Sequence, residues 1–148
     1  MENKKITKLQ KYDLSEKLYA KIGKFVVHPV VFDTSNVEEK SFWNRFNRQN
    51  KIPNPKRRKN YPAIKIGRLA VSEKFEKQGI GGFILDSVKN LLLGRMDVAC
   101  RFITVDAYQT AFHFYQKNGF EFLSTQDEND STRLMYFDLK HILNKENE

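Results

Sequence analysis

The chain has 148 residues, 40% hydrophobic and 30% charged, with 12 Phe, 6 Tyr and one cysteine. That is the size and make-up of one folded domain. It excludes a disordered chain and an internal disulfide framework, and no run approaches the roughly 18 apolar residues of a membrane span, so a cytoplasmic protein is expected. The formal net charge of +8 is uneven: residues 1–60 carry 15 Lys+Arg against 6 Asp+Glu, and residues 61–148 carry 11 against 12.

In chain order, residues 6–10 read as a short strand and residues 14–24 as a helix. A second helix starts through Phe32-Asp33-Thr34-Ser35-Asn36, whose polar side chains can cap free amides. Val37, Phe42, Trp43 and Phe46 then return at roughly helical spacing, and the helix ends near Arg48. Trp43 and its aromatic neighbours cover either the core or a dimer contact. Residues 51–60 hold two prolines and five cations. Proline opposes a helix and the cations repel one another, so this is an exposed loop, read either as a solvated linker or as a contact for phosphate.

From Tyr61 the pattern sharpens. Residues 63–71 alternate as a strand, with Ile64 and Ile66 on one face. The next apolar pair, Leu69 and Val71, is out of phase by one residue. The slip falls at Gly67-Arg68 and predicts a β-bulge, a device that often splays a strand beside an active site. A loop with Gly79, Gly81 and Gly82 follows, then a helix with Ile84, Leu85, Val88, Leu91 and Leu92 on its inner face, stopping near Gly94. Glycines at a helix mouth either make an ordinary tight turn or aim backbone N–H groups at a phosphate, with Lys77 adding a charge. Cys100, in an apolar strand-like run, reads as a small buried hydrophobe. A strand (101–106), a helix (108–118) stopped by Gly119, and two strands (120–124 and 132–138) joined by a polar linker complete the chain. The last two strands form an antiparallel hairpin, giving an α/β sandwich on a mixed sheet.

Two stretches resemble the GNAT acetyltransferases. Gly67-Arg68-Leu69-Ala70-Val71 followed by Glu76-Lys77-Gln78-Gly79-Ile80-Gly81 is similar to that family's core strand and pyrophosphate loop, R/Q-x-x-G-x-G/A. Ala111-Phe112-His113-Phe114-Tyr115-Gln116-Lys117-Asn118-Gly119-Phe120 is similar to its second signature, A-x-x-x-Y-x-x-x-G-F. The resemblance covers roughly residues 61–138. It implies a mixed, mostly antiparallel sheet flanked by helices, in a single domain over residues 1–148. The front half is expected to be shortened, because only the basic loop stands between Asn50 and Tyr61. Two departures stand out: Glu76 replaces the usual Arg or Gln, and Tyr108 stands where many members carry Asn.

The resemblance implies an N-acetyltransferase using acetyl-CoA, with no metal. Leu69, Ala70 and Val71 would lie along the thioester, and Lys77, Gln78, Gly79, Ile80, Gly81 and Gly82 around the pyrophosphate, with Tyr108 and Phe112 beside the cofactor. Tyr115 is the candidate acid for the departing thiolate; the alternative is that it only packs with Phe112, Phe114 and Phe120. The Phe32-Asp33 turn further resembles the toxin-like branch that acetylates aminoacyl-tRNA and is neutralised by an antitoxin. Arg57, Arg58 and Arg68 would then meet the acceptor. No carboxylate or histidine lies in the bulged strand. An α-amine, with a pKa of about 7.7–8.0, needs less help losing a proton than a lysine amine at about 10.4, so an α-amine acceptor is favoured. The alternatives are a small-amine or peptide acetyltransferase, and a non-catalytic nucleic-acid or protein-binding module on the same scaffold.

Overall fold

The run Gly23–Asp33 is dense in β-branched and aromatic residues and forms strand β1 in the computed structural model, which describes residues 23–34, 60–94 and 100–145. Strand β2 (Asn60–Val71) follows, then helix α1 (Ile80–Gly94), strand β3 (Phe102–Tyr108) and helix α2 (Phe112–Lys117). Strands β4 (Glu121–Phe122) and β5 (Thr132–Asp138) and helix α3 (Lys140–Lys145) end the order. The five strands lie as β1-β2-β3-β5-β4. Every neighbouring pair is antiparallel except β2 and β3, which run parallel and are joined by the α1 crossover that a parallel pair requires.

Alternation along the strands gives the sheet two apolar faces. On one, Ile64, Ile66, Ile103, Val105, Met135 and Phe137 join Leu85, Val88 and Leu92 of α1 and Tyr115 of α2 in the main core. On the other, Phe32, Ala63, Phe102, Leu123 and Tyr136 form a smaller cluster. The Phe102 ring centre lies 5.2 Å from that of Phe32 and 5.4 Å from that of Tyr61. Among the described residues no helix is long and apolar enough to cross a membrane.

The structure departs from the sequence reading at several points. The helix expected over 14–24 cannot reach Lys24, because Gly23 already begins β1. Phe32 and Asp33, read as a helix start, are the last residues of that strand. β1 pairs along β2 from Gly23 opposite Val71 to Asp33 opposite Asn60, so the amino-terminal segment supplies a neighbour to the core strand. Asn60, assigned to the basic loop, belongs to β2. β3 runs on to Tyr108, and after a 3-10 turn at Gln109–Ala111 the helix begins at Phe112 rather than at 108. α3 was not anticipated: Asp138, held by Arg101 (Nη2 to Oδ2, 2.8 Å), accepts the Lys140 amide at 3.0 Å and starts that helix. The expected strand at 6–10, the remainder of the helix over 14–24, the second helix with Trp43, and the basic loop with Arg57 and Arg58 lie outside the described residues.

Candidate active site

A fork in the middle of the sheet positions the site. β2 and β3 pair only from Ala63 opposite Phe102 to Ile66 opposite Val105. Beyond that point each strand continues with its outer neighbour alone. Arg68 to Val71 pair with Val26 to Gly23, and Asp106 to Tyr108 pair with Leu134 to Thr132. Among the described residues the facing edges of β2 and β3 therefore carry backbone N–H and C=O groups without a strand partner, and such groups seek a ligand or water.

The cause is the expected bulge. Val26 faces Arg68 and Val27 faces Ile66, so Gly67 is the extra residue on β2. A bulge bends its strand and steepens the local twist, which turns β2 away from β3. It also restores phase: Leu69 packs against the same core as Ile64 and Ile66.

At the end of β2 a 3-10 turn (Glu73–Phe75) leads into the glycine loop. Lys77 has φ 58° and Gly79 φ 77°, two left-handed residues in one short turn. An αL conformation strains a side chain but not glycine, and alternation of this kind curls successive amides toward one concavity. The first bond of α1 is donated by the Phe83 N–H to the Gly79 carbonyl at 3.0 Å. The amides of Ile80, Gly81 and Gly82 precede it and have no carbonyl one turn back. A Cβ on Gly79 would meet nothing within 4 Å, one on Gly81 would come 2.9 Å from the Phe114 ring, and one on Gly82 would come 3.2 Å from Asn118 Oδ1. The loop is thus open on one side and seated on α2 at its back.

These features fit the diphosphate and pantetheine arm of acetyl-CoA: a dipole-assisted cradle of amides at the end of a β2 edge that has no strand partner among the described residues. Gln78 turns its side-chain amide back to the Lys74 carbonyl at 3.3 Å, leaving its own backbone in the turn. Glu76 is exposed, and among the described residues no ion pair joins it to Lys77.

Helix α2 carries Tyr115 into the core side of the fork. Gly119 (φ 87°) ends the helix: its N–H donates to Gln116 O at 3.0 Å and the Phe120 N–H to Tyr115 O at 3.0 Å. This is a Schellman cap, with the expected apolar contact between Tyr115 and Phe120, ring centres 5.4 Å apart. Tyr115 is 6% exposed. Burial pushes its hydroxyl above the usual tyrosine range. Among the described residues the hydroxyl makes no hydrogen bond, yet no buried side-chain oxygen is left unpartnered, so its tip still meets solvent. Tyr115 thus packs against Phe114 and Phe120 while its hydroxyl end stays reachable from solvent.

The other expected site residues are spread around this centre. Ala70 and Arg68 are exposed on β2 past the bulge, and Tyr108, 67% exposed, ends β3 at the mouth of the fork. Phe112 packs edge-on against Phe122 at 5.0 Å, while Phe114 and Asn118 make the contacts with the glycine turn. Cys100 is half-buried against the core, and burial pushes its thiol up, which suits a hydrophobe rather than a nucleophile. Sequence reasoning missed His28, which lies against the bulge, and the Lys65–Asp106 ion pair beside the fork. It also missed Lys89, buried in α1 with its Nζ donating to Asn118 O at 2.7 Å and 4.0 Å above the Phe137 ring.

The Acetyltransferase (GNAT) domain matches residues 54–140, more than half of the chain. The chain belongs to the GNAT acetyltransferase family. Among solved structures, a mutant of KacT is similar to this family member at 23% identity with a TM-score of 0.63, over 83% of this chain and 65% of that one. AtaT complexed with acetyl-methionyl-tRNAfMet is similar at 26% identity with a TM-score of 0.60, over 82% and 64%. AtaTR bound with acetyl-CoA is similar at 25% identity with a TM-score of 0.58, over 82% and 63%. The chain therefore spans less than two thirds of the length of these GNAT structures. No curated protein matches it.

Proposed function

We infer that this chain is a single-domain N-acetyltransferase that moves an acetyl group from acetyl-CoA to a primary amine, with the α-amine of aminoacyl-tRNA as the acceptor. The observation that carries the reading is the fork: β2 leaves β3 at Gly67 and runs on to Val71, which lies against the Gly81 turn, while Leu69 shares the core with the buried Tyr115. When bound, acetyl-CoA supplies an acetyl group activated as a thioester. Leu69, Ala70 and Val71 run along the open edge with β1 on their other side, so alternate N–H groups among them face the fork, where polarised donors stabilise charge developing on oxygen. The amides of Ile80, Gly81 and Gly82 hold the diphosphate against the positive end of α1. Tyr115 keeps its proton at neutral pH and can give it to a departing sulfur.

The acceptor rests on different support. The basic excess lies in residues 1–60, which include Arg57 and Arg58, and Arg68 is exposed on β2 at the fork. Phosphate backbones are the partners that such clusters recognise. AtaT, a structural neighbour, is complexed with acetyl-methionyl-tRNAfMet, and a mutant of the AtaT toxin is bound to the C-terminus of the antitoxin AtaR. We extend both the tRNA and an antitoxin partner to this chain.

Release of free thiol from acetyl-CoA tests the reading, with charged tRNA, discharged tRNA, free amino acids and polyamines compared. Release that depends on charged tRNA and falls steeply with salt is expected. Release with small amines alone would move the acceptor to metabolites, and silence with every acceptor would leave a binding module.

A further inference from the structure

β1 runs beside the bulge within the sheet, and alternation from Val27, which packs on the core, puts the neighbouring His28 on the face opposite α1 and α2. His28 pairs with Lys65. Its ring lies over the neighbouring Gly67: a Cβ at that position would stand 3.2 Å from Cε1 and 3.4 Å from Nδ1. His28 is exposed and makes no hydrogen bond among the described residues. Strand alternation places Lys65, Arg68 and Asp106 on the same face, and these are the charged groups of β2 and β3 that face it. Asp106 is the only carboxylate on either forked strand, and it is taken up by the Lys65 ammonium. Among the described residues His28 is left at the bulge with neither ring nitrogen in a hydrogen bond.

We propose that His28 is the general base that takes the proton from the acceptor ammonium. The proposal rests on the acetyltransferase reading above. The bulge is where β2 opens, and the imidazole lies over it on the face away from the main core, which is the face we assign to the incoming amine. One N–H proton passes to a ring nitrogen of His28 and from there to water, which leaves the amine with a free lone pair and the histidine neutral again. An α-amine, at about 7.7–8.0, gives up its proton to a weak base more readily than a lysine amine at about 10.4. The base therefore selects for the same acceptor class as the basic segment does.

The test compares the full chain with His28→Gln. Calorimetry with acetyl-CoA comes first: wild type and variant are expected to bind alike, and failure of the wild type to bind would overturn the functional reading and this proposal with it. In histidine NMR of the wild type, the resonance that the variant lacks is expected to move when coenzyme A and methioninamide are added together, while the other two histidine resonances stay in place. The kcat/KM of His28→Gln is expected to be about 100-fold lower at neutral pH, with the deficit closing as pH rises above about 8 and the amine loses its proton unaided. An active wild type with an unmoved His28 resonance, an unchanged variant rate, or the same deficit at every pH would overturn the proposal and leave the acetyltransferase reading intact.

Discussion

Gly81 on α1 and Phe114 on α2 touch so closely that a single added carbon on Gly81 would stand 2.9 Å from the ring. The cradle and the helix that carries Tyr115 are therefore fitted to one another without slack. Gly81→Ala is expected to push the ring or the loop aside. Acetyl-CoA affinity should fall about 10-fold and stability by about 1–3 kcal/mol, the usual effect of overpacking. Calorimetric titration and urea unfolding measure the two separately.

Tyr115→Phe keeps the ring against Phe114 and Phe120 and removes only the hydroxyl. If the hydroxyl is the acid, kcat should fall about 10²–10⁴-fold with acetyl-CoA affinity and melting temperature nearly unchanged. A packing role alone predicts an active variant.

The raised pKa of Tyr115 also has a thermodynamic sign. Its folded value lies above the unfolded value of about 10, so the native state holds the proton more tightly. The contribution to stability is complete below pH about 10 and is lost as pH rises through the folded value. Difference titration of tyrosinate absorbance between wild type and Tyr115→Phe should show this one tyrosine ionising later than an ordinary tyrosine.

Asp138 is 2% exposed, accepts from Nε and Nη2 of Arg101 and starts α3. Asp138→Ala would strand a half-buried guanidinium and uncap that helix, at a cost of about 3–5 kcal/mol. Loss on that scale should appear in urea unfolding, with Arg101→Met/Asp138→Leu less damaging than the single change.

Much of this fold can be read directly from residue order. The phase slip between Ile66 and Leu69 marks the bulge, the apolar spacing from Ile84 to Leu92 marks α1, and Gly119 marks the end of α2, because each is a local signal with a local cause. β1 is harder to see. Pro29 interrupts its apolar run, and proline argues against a strand unless, as here, it has a neighbour on one side only among the described residues. His28 is invisible as a site residue for another reason: what brings it to Gly67 is pairing between strands far apart in sequence, which no spacing rule within one segment reports. α3 depends likewise on a carboxylate fixed by a distant arginine.

The bulge makes the protein more sensitive to length than to chemistry. Many side-chain exchanges along β2 would leave the alternation intact. Deleting Gly67 would instead let the ladder close, and would rotate each residue after it by half a turn of the pleat, so that Leu69 would leave the core and Arg68 would enter it. One lost codon would thus join two halves of a sheet that are kept apart, and the better-paired strand would have no room for a reaction.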